Sequence, residues 1–493
     1  MTNEFATILR NMAEIDRNKT YTTNGAVALS STTSALVDLF GVIGATRNRT
    51  EDEIGRMVLN AAKEDLETTL KIIFYARDVR GGLGERRAFR VAIETLAYHY
   101  PESVAKNIKW FGVFGRFDDW YCLVGTPCET AMWQAMREQF ETDLYMYRQE
   151  EPISLLAKWI KTPDASSQNT RILGVMTARQ LGYTVYEFKR LLRQLRKYLK
   201  VVETDMCANR WSAIDYESVP SRAGMLYKNA FRKHDEDRYE RYIDAVQCGE
   251  KKINAATLFP YDIVEKFMYH RTEDDRTLEA QWKALPNYVD GENNFLVMAD
   301  TSGSMYGRPM ATSVGLALYF AERNRGPWRD LFMTFESHPS FVKIDRKDSL
   351  SKKVREAMDA DWGGSTNLEA ALLRILFAAQ ENDVRQEDMP VSLIIITDME
   401  FDSCVVQSRS WETFYQIMER RFNNAGYKIP NIVFWNVNSV KDTYHADANH
   451  RGVQLASGQS PSVFKTLVGS VGLTPFEYMM SVINVERYAV IKA

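Results

Sequence analysis

A change in hydrophobic pattern near residue 290 constrains this chain more than any other feature of its sequence. After the polar, turn-like VDGENN (289–294) comes FLVMAD (295–300), an apolar run too short for a helix that ends on an acid and reads as a buried strand. Similar runs follow at LFMTF (331–335), VSLIIITD (391–398) and NIVFWNV (431–437), alternating with helix-like segments near 310–324, 367–380 and 411–424. Such alternation predicts a doubly wound α/β domain, a mainly parallel sheet with helices on both faces. From about residue 30 to 285 the apolar residues recur at helical spacing instead, with almost no alternating run. That half reads as all-α, with serial helices of the kind that stack as HEAT-type hairpins, although no repeat of fixed period is visible. The expected division is therefore 1–285 helical and 286–493 α/β.

At 493 residues, 45% hydrophobic and 26% charged, the chain has the balance of an ordinary globular protein of two or three domains. Its five cysteines, Cys122, Cys128, Cys207, Cys248 and Cys404, form no C-x-x-C pair, which points to reduced thiols rather than zinc or redox chemistry. The first twenty residues lack the apolar core of a signal peptide, and no run approaches the roughly 18 apolar residues of a membrane span. A soluble, cytoplasmic protein is expected. A net charge of -3 argues against indiscriminate coating of nucleic acid, yet residues 155–200 hold ten Lys or Arg against two acids, Asp164 and Glu187.

Two of the expected strands end in an aspartate, Asp300 and Asp398. Ligands gather outside the carboxyl ends of strands in open sheets of this kind, so two acids at one rim call for a cation between them. Asp300-Thr301-Ser302-Gly303-Ser304 forms D-x-S-x-S, in which a carboxylate and two hydroxyls turn toward a common point if a tight loop follows the strand, as Gly303 allows. Gly363-Gly364-Ser365-Thr366-Asn367 opens a helix downstream, and Thr397-Asp398 closes a strand. Hard oxygen donors suit Mg²⁺ or Mn²⁺. D-x-S-x-S by itself also occurs in solvated turns. A dehalogenase-type phosphatase would need a second acid where Ser302 stands, and none of the six histidines shares a recognisable motif with a serine nucleophile. His445 and His450, with Asp447 between them, are of a type that binds metal, but their i, i+5 spacing in a polar stretch reads as solvated surface before it reads as a metal site.

In the helical half, FYARDVRGGLGERRAFR (74–90) sets a glycine loop among five arginines, with Arg77, Arg80, Arg86 and Arg87 as candidates for gripping phosphate. A hairpin turn with Arg–Asp pairs fits the same residues. A helix over Glu187–Lys200 places Phe188, Leu191, Leu192, Leu195, Tyr198 and Leu199 on one stripe. Lys189, Arg190, Arg193, Arg196, Lys197 and Lys200 occupy the rest, as a nucleic-acid docking face or a solvated helix face. The aromatic-rich WFGVFGRFDDWYCL (110–123) reads as core packing before it reads as a stacking platform for bases.

On the three motif pieces and their order, residues 290–490 resemble the von Willebrand factor A domain and its metal-ion-dependent adhesion site. That resemblance implies a divalent ion held by Asp300, Ser302, Ser304 and Thr366, with Asp398 acting directly or through water, and an acidic group of a partner filling the open coordination position. The arginine- and glycine-rich stretch, LLAKWI (155–160) and LRQLRKYLKVVETDMCANRWSAIDYESVPSRA (192–223) resemble the helical TROVE module of Ro-type RNA-binding proteins, above all their phage, bacterial and plant relatives. This second resemblance covers most of residues 20–490. It implies a monomeric ring of helical repeats closed by the von Willebrand domain, binding structured small RNAs outside and RNA ends near its hole. The expectation is a metal-dependent RNA-binding protein and not an enzyme. Its alternatives are a protein-interaction scaffold whose metal docks an acidic partner, and a metal-dependent phosphoesterase.

Overall fold

The structure, a computed structural model, describes residue 13 and residues 17–269, 275–289, 294–335, 338–360, 366–402 and 414–493. Gly363, Gly364, Ser365 and Cys404 lie outside the described residues. Strands are numbered β1 (Lys19–Tyr21), β2 (Val27–Leu29), β3 (Phe295–Asp300), β4 (Leu331–Phe335), β5 (Phe341–Lys343), β6 (Ser392–Thr397), β7 (Asn431–Asn436) and β8 (Val453–Ser457). Between β2 and β3 the described residues hold helices and no strand. Those used below are α1 (Ala35–Val42), α2 (Arg86–His99) and α3 (Val185–Tyr198). Beyond β3 come α4 (Arg308–Arg323) and α5 (Leu368–Glu381). No helix among the described residues is long and apolar enough to cross a membrane.

Two compact units are assembled from interleaved segments. One comprises Met1–Ile72, Leu258–Asp275 and Leu285–Val485, and the other Ile73–Thr257, Arg276–Ala284 and Glu486–Ala493. The change of pattern at 285 thus opens the longest stretch of the first unit, while the first 72 residues belong to that unit too.

The first unit is built on a six-stranded sheet of order β5-β4-β3-β6-β7-β8, parallel except for the edge strand β5. The connection from β3 runs to β4 on one side, and the chain then crosses back to β6 on the other. The crevice between the carboxyl ends of β3 and β6 is therefore the topological switch point. All six residues of β3 and of β7 are buried, as continuous apolar runs must be in a sheet covered on both faces. Strand β8, VQLAS, carries no such run and went unpredicted; its Gln454 is accommodated by donating to the carbonyls of Ser470 and Leu473. Helix α1 lies against β8, and at Gly44 the backbone of Gly458 comes so close that a Cβ would sit 2.6 Å from its nitrogen. The β1–β2 hairpin is attached to the loops beyond the sheet through bridges from Gly25 to Asp402 and from Leu29 to Tyr444.

The second unit is held by aromatic clusters. Phe74, Phe89, Phe111 and Phe114 meet edge to face, with Tyr488 stacked on Phe114 at 5.6 Å. Phe111, Phe114 and Trp120 of the 110–123 stretch are buried, so that segment is core. The helix expected at 187–200 forms two residues earlier, because Thr184 caps it through a reciprocal pair with Glu187. Phe188, Leu192 and Leu195 are its buried stripe, and Lys200 lies beyond its end with φ +50°.

Candidate metal centre and basic face

Asp300 is the last residue of β3, and Asp398 follows the last residue of the neighbouring β6. Both are buried, at 0% and 1% exposure. One Asp300 oxygen accepts the Ser302 N–H at 2.9 Å and the other the Thr397 hydroxyl at 2.7 Å, which ties the two strand ends together. The Ser302 and Ser304 hydroxyls are 3.0 Å apart, Ser302 buried and Ser304 exposed at the rim. The Glu400 N–H reaches Asp398 Oδ1 at 3.2 Å, whereas Asp398 Oδ2 is buried without a hydrogen-bond partner. Residues 303–305 form a single 3₁₀ turn. The glycine that adopts a left-handed conformation there is Gly307 (φ +88°), at the start of α4, rather than Gly303.

Burial pushes the Asp300 carboxyl up to about 7, and the Asp398 carboxylate beside it adds to the rise. Asp398 is raised in turn by burial, against the opposing pull of the Ser304 hydroxyl and the Glu400 N–H. Two carboxylates are thus withdrawn from water with no basic side chain paired to either among the described residues. Such a site favours protonation or a cation. Oxygen-only donors at the switch point fit a hard divalent ion, for which Asp300, Ser302, Ser304 and Asp398 are at hand.

Thr366 lies two residues before α5 and is buried, but its hydrogen bonds lead to Glu400, Asn24 and Asp402 and not to the serines. Its hydroxyl donates to the Glu400 carbonyl at 2.9 Å and accepts from Asn24 Nδ2 at 3.4 Å, and its N–H donates to Asp402 at 2.7 Å. Through Glu400 it is linked to Asp398. His445 is not solvated surface: it is 3% exposed, its Nε2 lies 3.0 Å from the Met399 carbonyl, and its ring packs 4.3 Å from that of Phe401. Burial lowers it to about 4, which makes it a neutral core residue beneath the rim. His450 is half-buried against Tyr415.

The structure divides the basic candidates. Arg77 is 2% exposed, and its Nε donates to Asp119 at 2.7 Å; it is a buried structural cation, not a surface contact. Arg196 is also spent internally, donating to the carbonyls of Ala157 at 2.8 Å and Ile160 at 3.3 Å. Lys189 pairs with Asp164 at 3.1 Å, and Arg80 reaches the Val113 carbonyl at 3.3 Å. Arg86 is exposed at the first turn of α2 and Arg87 is half-buried. Burial first, then the Arg116 and Arg90 charges, lower the Arg86 guanidinium. Arg190, Arg193 and Lys197 are exposed and make no ion pair among the described residues. With Tyr186, 75% exposed, they follow at intervals of three and four residues on α3, which places all four within an arc of roughly 60°. Lys200 is exposed just past the helix.

Residues 294–486 match the model of a domain of unknown function (DUF7788). Residues 22–116 and 176–292 match that of a second domain of unknown function (DUF2828). Uncharacterized protein L728 of Acanthamoeba polyphaga mimivirus is 27% identical over 507 residues, an alignment covering 95% of this chain and 87% of that protein. The crystal structure of Deinococcus radiodurans RO (RSR) protein aligns over 92% of this chain and 100% of its own, with 15% identity and a TM-score of 0.47.

Glu400, Asp402, Asn24 and the Thr22–Thr23 turn were missed in the sequence, and Thr397, singled out there only as the end of a strand, proves to hold Asp300. The D-x-E-x-D run of Asp398, Glu400 and Asp402 was a usable signal for the acids. The hairpin turn gave none, because it lies more than 340 residues away from the loops it contacts.

Proposed function

We propose that this chain is a divalent-metal-dependent RNA-binding protein and not a catalyst. Its metal, Mg²⁺ or Mn²⁺, would be held by Asp300, Ser302, Ser304, Thr366 and Asp398. The buried pair Asp300 and Asp398, without a basic partner among the described residues, at the carboxyl ends of adjacent strands and beside two hydroxyls, carries the metal reading. When bound, the ion would supply a positive centre able to take an oxygen ligand of a partner at the Ser304 rim. The binding role is favoured over hydrolysis because, among the described residues, the Ser302 and Ser304 hydroxyls have no histidine in hydrogen-bond reach to act as base. The RNA reading is supported by the exposed, unpaired row of Arg190, Arg193 and Lys197 with Tyr186, and by the sequence resemblance to Ro-type proteins. Phosphates would meet the cations, and an exposed tyrosine offers a face on which a base can stack.

Recovery and sequencing of nucleic acid from the purified full-length chain tests this. Defined RNAs should co-purify, and the triple variant Arg190→Glu, Arg193→Glu, Lys197→Glu should lose them at unchanged melting temperature. Three neutralised phosphates predict a loss of affinity of roughly 30-fold between 50 and 200 mM salt. No RNA at low salt would overturn the RNA reading and leave an acidic protein as the partner to seek at the metal, which the exposed position of Ser304 accommodates.

A further inference from the structure

We propose that Glu400 is an outer carboxylate of the metal centre, held there by the turn of the N-terminal hairpin, so that divalent-metal affinity is coupled to docking of that turn. The inference rests on the metal reading above.

Glu400 is 3% exposed, and it links Asp398, Thr366 and the hairpin turn. Its N–H donates to Asp398, and its carbonyl accepts from the Thr366 hydroxyl at 2.9 Å and from Asn24 Nδ2 at 2.7 Å. Its Oε2 accepts the N–H of Thr23. On either side, the Thr22 hydroxyl donates to the Phe401 carbonyl at 2.6 Å and Gly25 bridges to Asp402. Four consecutive residues of the turn are thereby fastened to three consecutive residues after β6.

Those bonds satisfy one Glu400 oxygen and leave the other. Glu400 Oε1 and Asp398 Oδ2 are both buried without a hydrogen-bond partner, and the two carboxylates repel each other. Two buried orphan oxygens on carboxylates that repel each other are costly unless a cation, or water ordered by one, meets them. Among the described residues no three Asp, Glu, His or Cys side chains converge at direct-ligand distance. With a metal bound, Glu400 would therefore act through water held by the ion, and the hydroxyls and aspartates would take the direct positions. Outer groups of this kind orient the ligands and tune affinity. Asn24 has the corresponding task for Thr366, as a positioning residue. Because the same bonds dock the turn, an ion that draws on Glu400 and Thr366 strengthens that docking, and a docked turn strengthens ion binding by the same factor.

The test is titration of Mn²⁺ into the EDTA-stripped full-length chain, followed by calorimetry and electron paramagnetic resonance. It compares wild type with Glu400→Gln, Asn24→Ala and the control Asp300→Ala. Asp300→Ala should abolish binding, Glu400→Gln should weaken it roughly 10- to 100-fold, and Asn24→Ala should weaken it by less. Metal-free Glu400→Gln should melt no lower than wild type, since glutamine still accepts the Thr23 N–H while the unpaired charge is gone. Hydrogen exchange across residues 19–29 should slow when Mn²⁺ is added to wild type. Unchanged Mn²⁺ affinity in Glu400→Gln, with binding lost in Asp300→Ala, overturns the role of Glu400 and spares the metal reading. Absence of Mn²⁺ binding by wild type overturns both.

Discussion

Two pairs of buried aspartates meet opposite fates in this chain. In the second unit Asp119 accepts Arg77 Nε and Arg90 Nε, each at 2.7 Å and on separate oxygens. Asp118 is gripped by Arg116 through both oxygens, at 2.8 and 2.6 Å, with Arg90 at 3.1 Å and Lys161 at 3.9 Å. The Arg116 guanidinium lies 3.9 Å from the centre of the Trp159 ring, which fixes its plane. Burial works against ionisation of Asp118, but Arg116 and Arg90 outweigh it and hold the carboxyl at about 2. In the first unit Asp300 and Asp398 are as deeply buried, no basic side chain reaches them among the described residues, and both are raised. A buried acid that carries its own counter-charge is part of the scaffold. One that lacks it is left to be completed from outside, and that difference separates the structural arginines from the candidate metal site.

The largest effect that would break this contrast is expected at Arg77. Replacing it with Met strands Asp119 opposite Arg90 alone and should cost about 3 to 5 kcal/mol, read as a lowered urea midpoint of the full-length chain. A loss below about 1 kcal/mol would mean that the network is not structural. Next in size is a difference of sign. Asp119→Asn should destabilise by several kcal/mol, on the order of a broken buried pair. Asp300→Asn, measured in EDTA, should leave stability unchanged or raise it, because it removes a buried charge with no counter-charge among the described residues, while asparagine can still accept the Ser302 N–H and the Thr397 hydroxyl can turn to accept from its amide. If Asp300→Asn also destabilises in EDTA, the first site has an unrecognised counter-charge.

The smallest effect concerns pH. The folded carboxyl of Asp118 titrates at about 2, below its unfolded value near 4, so its contribution is present above pH 4 and lost as pH falls toward 2. Wild type should exceed Asp118→Asn by about 1 kcal/mol at pH 6, after allowance for solvent screening, and the gap should close between pH 4 and 2 in chemical denaturation. A gap that persists at pH 2 would show that the asparagine is disliked for its shape and not its charge.

Much of the first unit was legible because local pattern and tertiary role coincide there. FLVMAD, LFMTF, the apolar run of β6 and NIVFWN form strands within a residue or two of the predicted limits, and the helical reading of 30–285 holds for the described residues. Long apolar runs have one stable destination, the middle of a covered parallel sheet. The order of the strands then brings Asp300 and Asp398 to neighbouring ends. Capping works at the same short range, and Thr184 with Glu187 marks the true start of α3.

The sequence by itself therefore determined the classes of the two halves, the central strands and the acids at their ends. All of these depend on residues a few positions apart, where periodicity and capping report directly on burial. Tertiary structure alone decided which charges are free. Arg77 lies 42 residues from Asp119, Arg196 lies 39 from Ala157, and Thr23 lies 377 from Glu400. Whether a cation ends in water or in the core is set by the partner that meets it, and helical spacing carries no record of that partner. The same limit hid β8, whose Gln454 is accommodated by carbonyls 16 and 19 residues away, and His445, whose polar neighbours in sequence are not its neighbours in space.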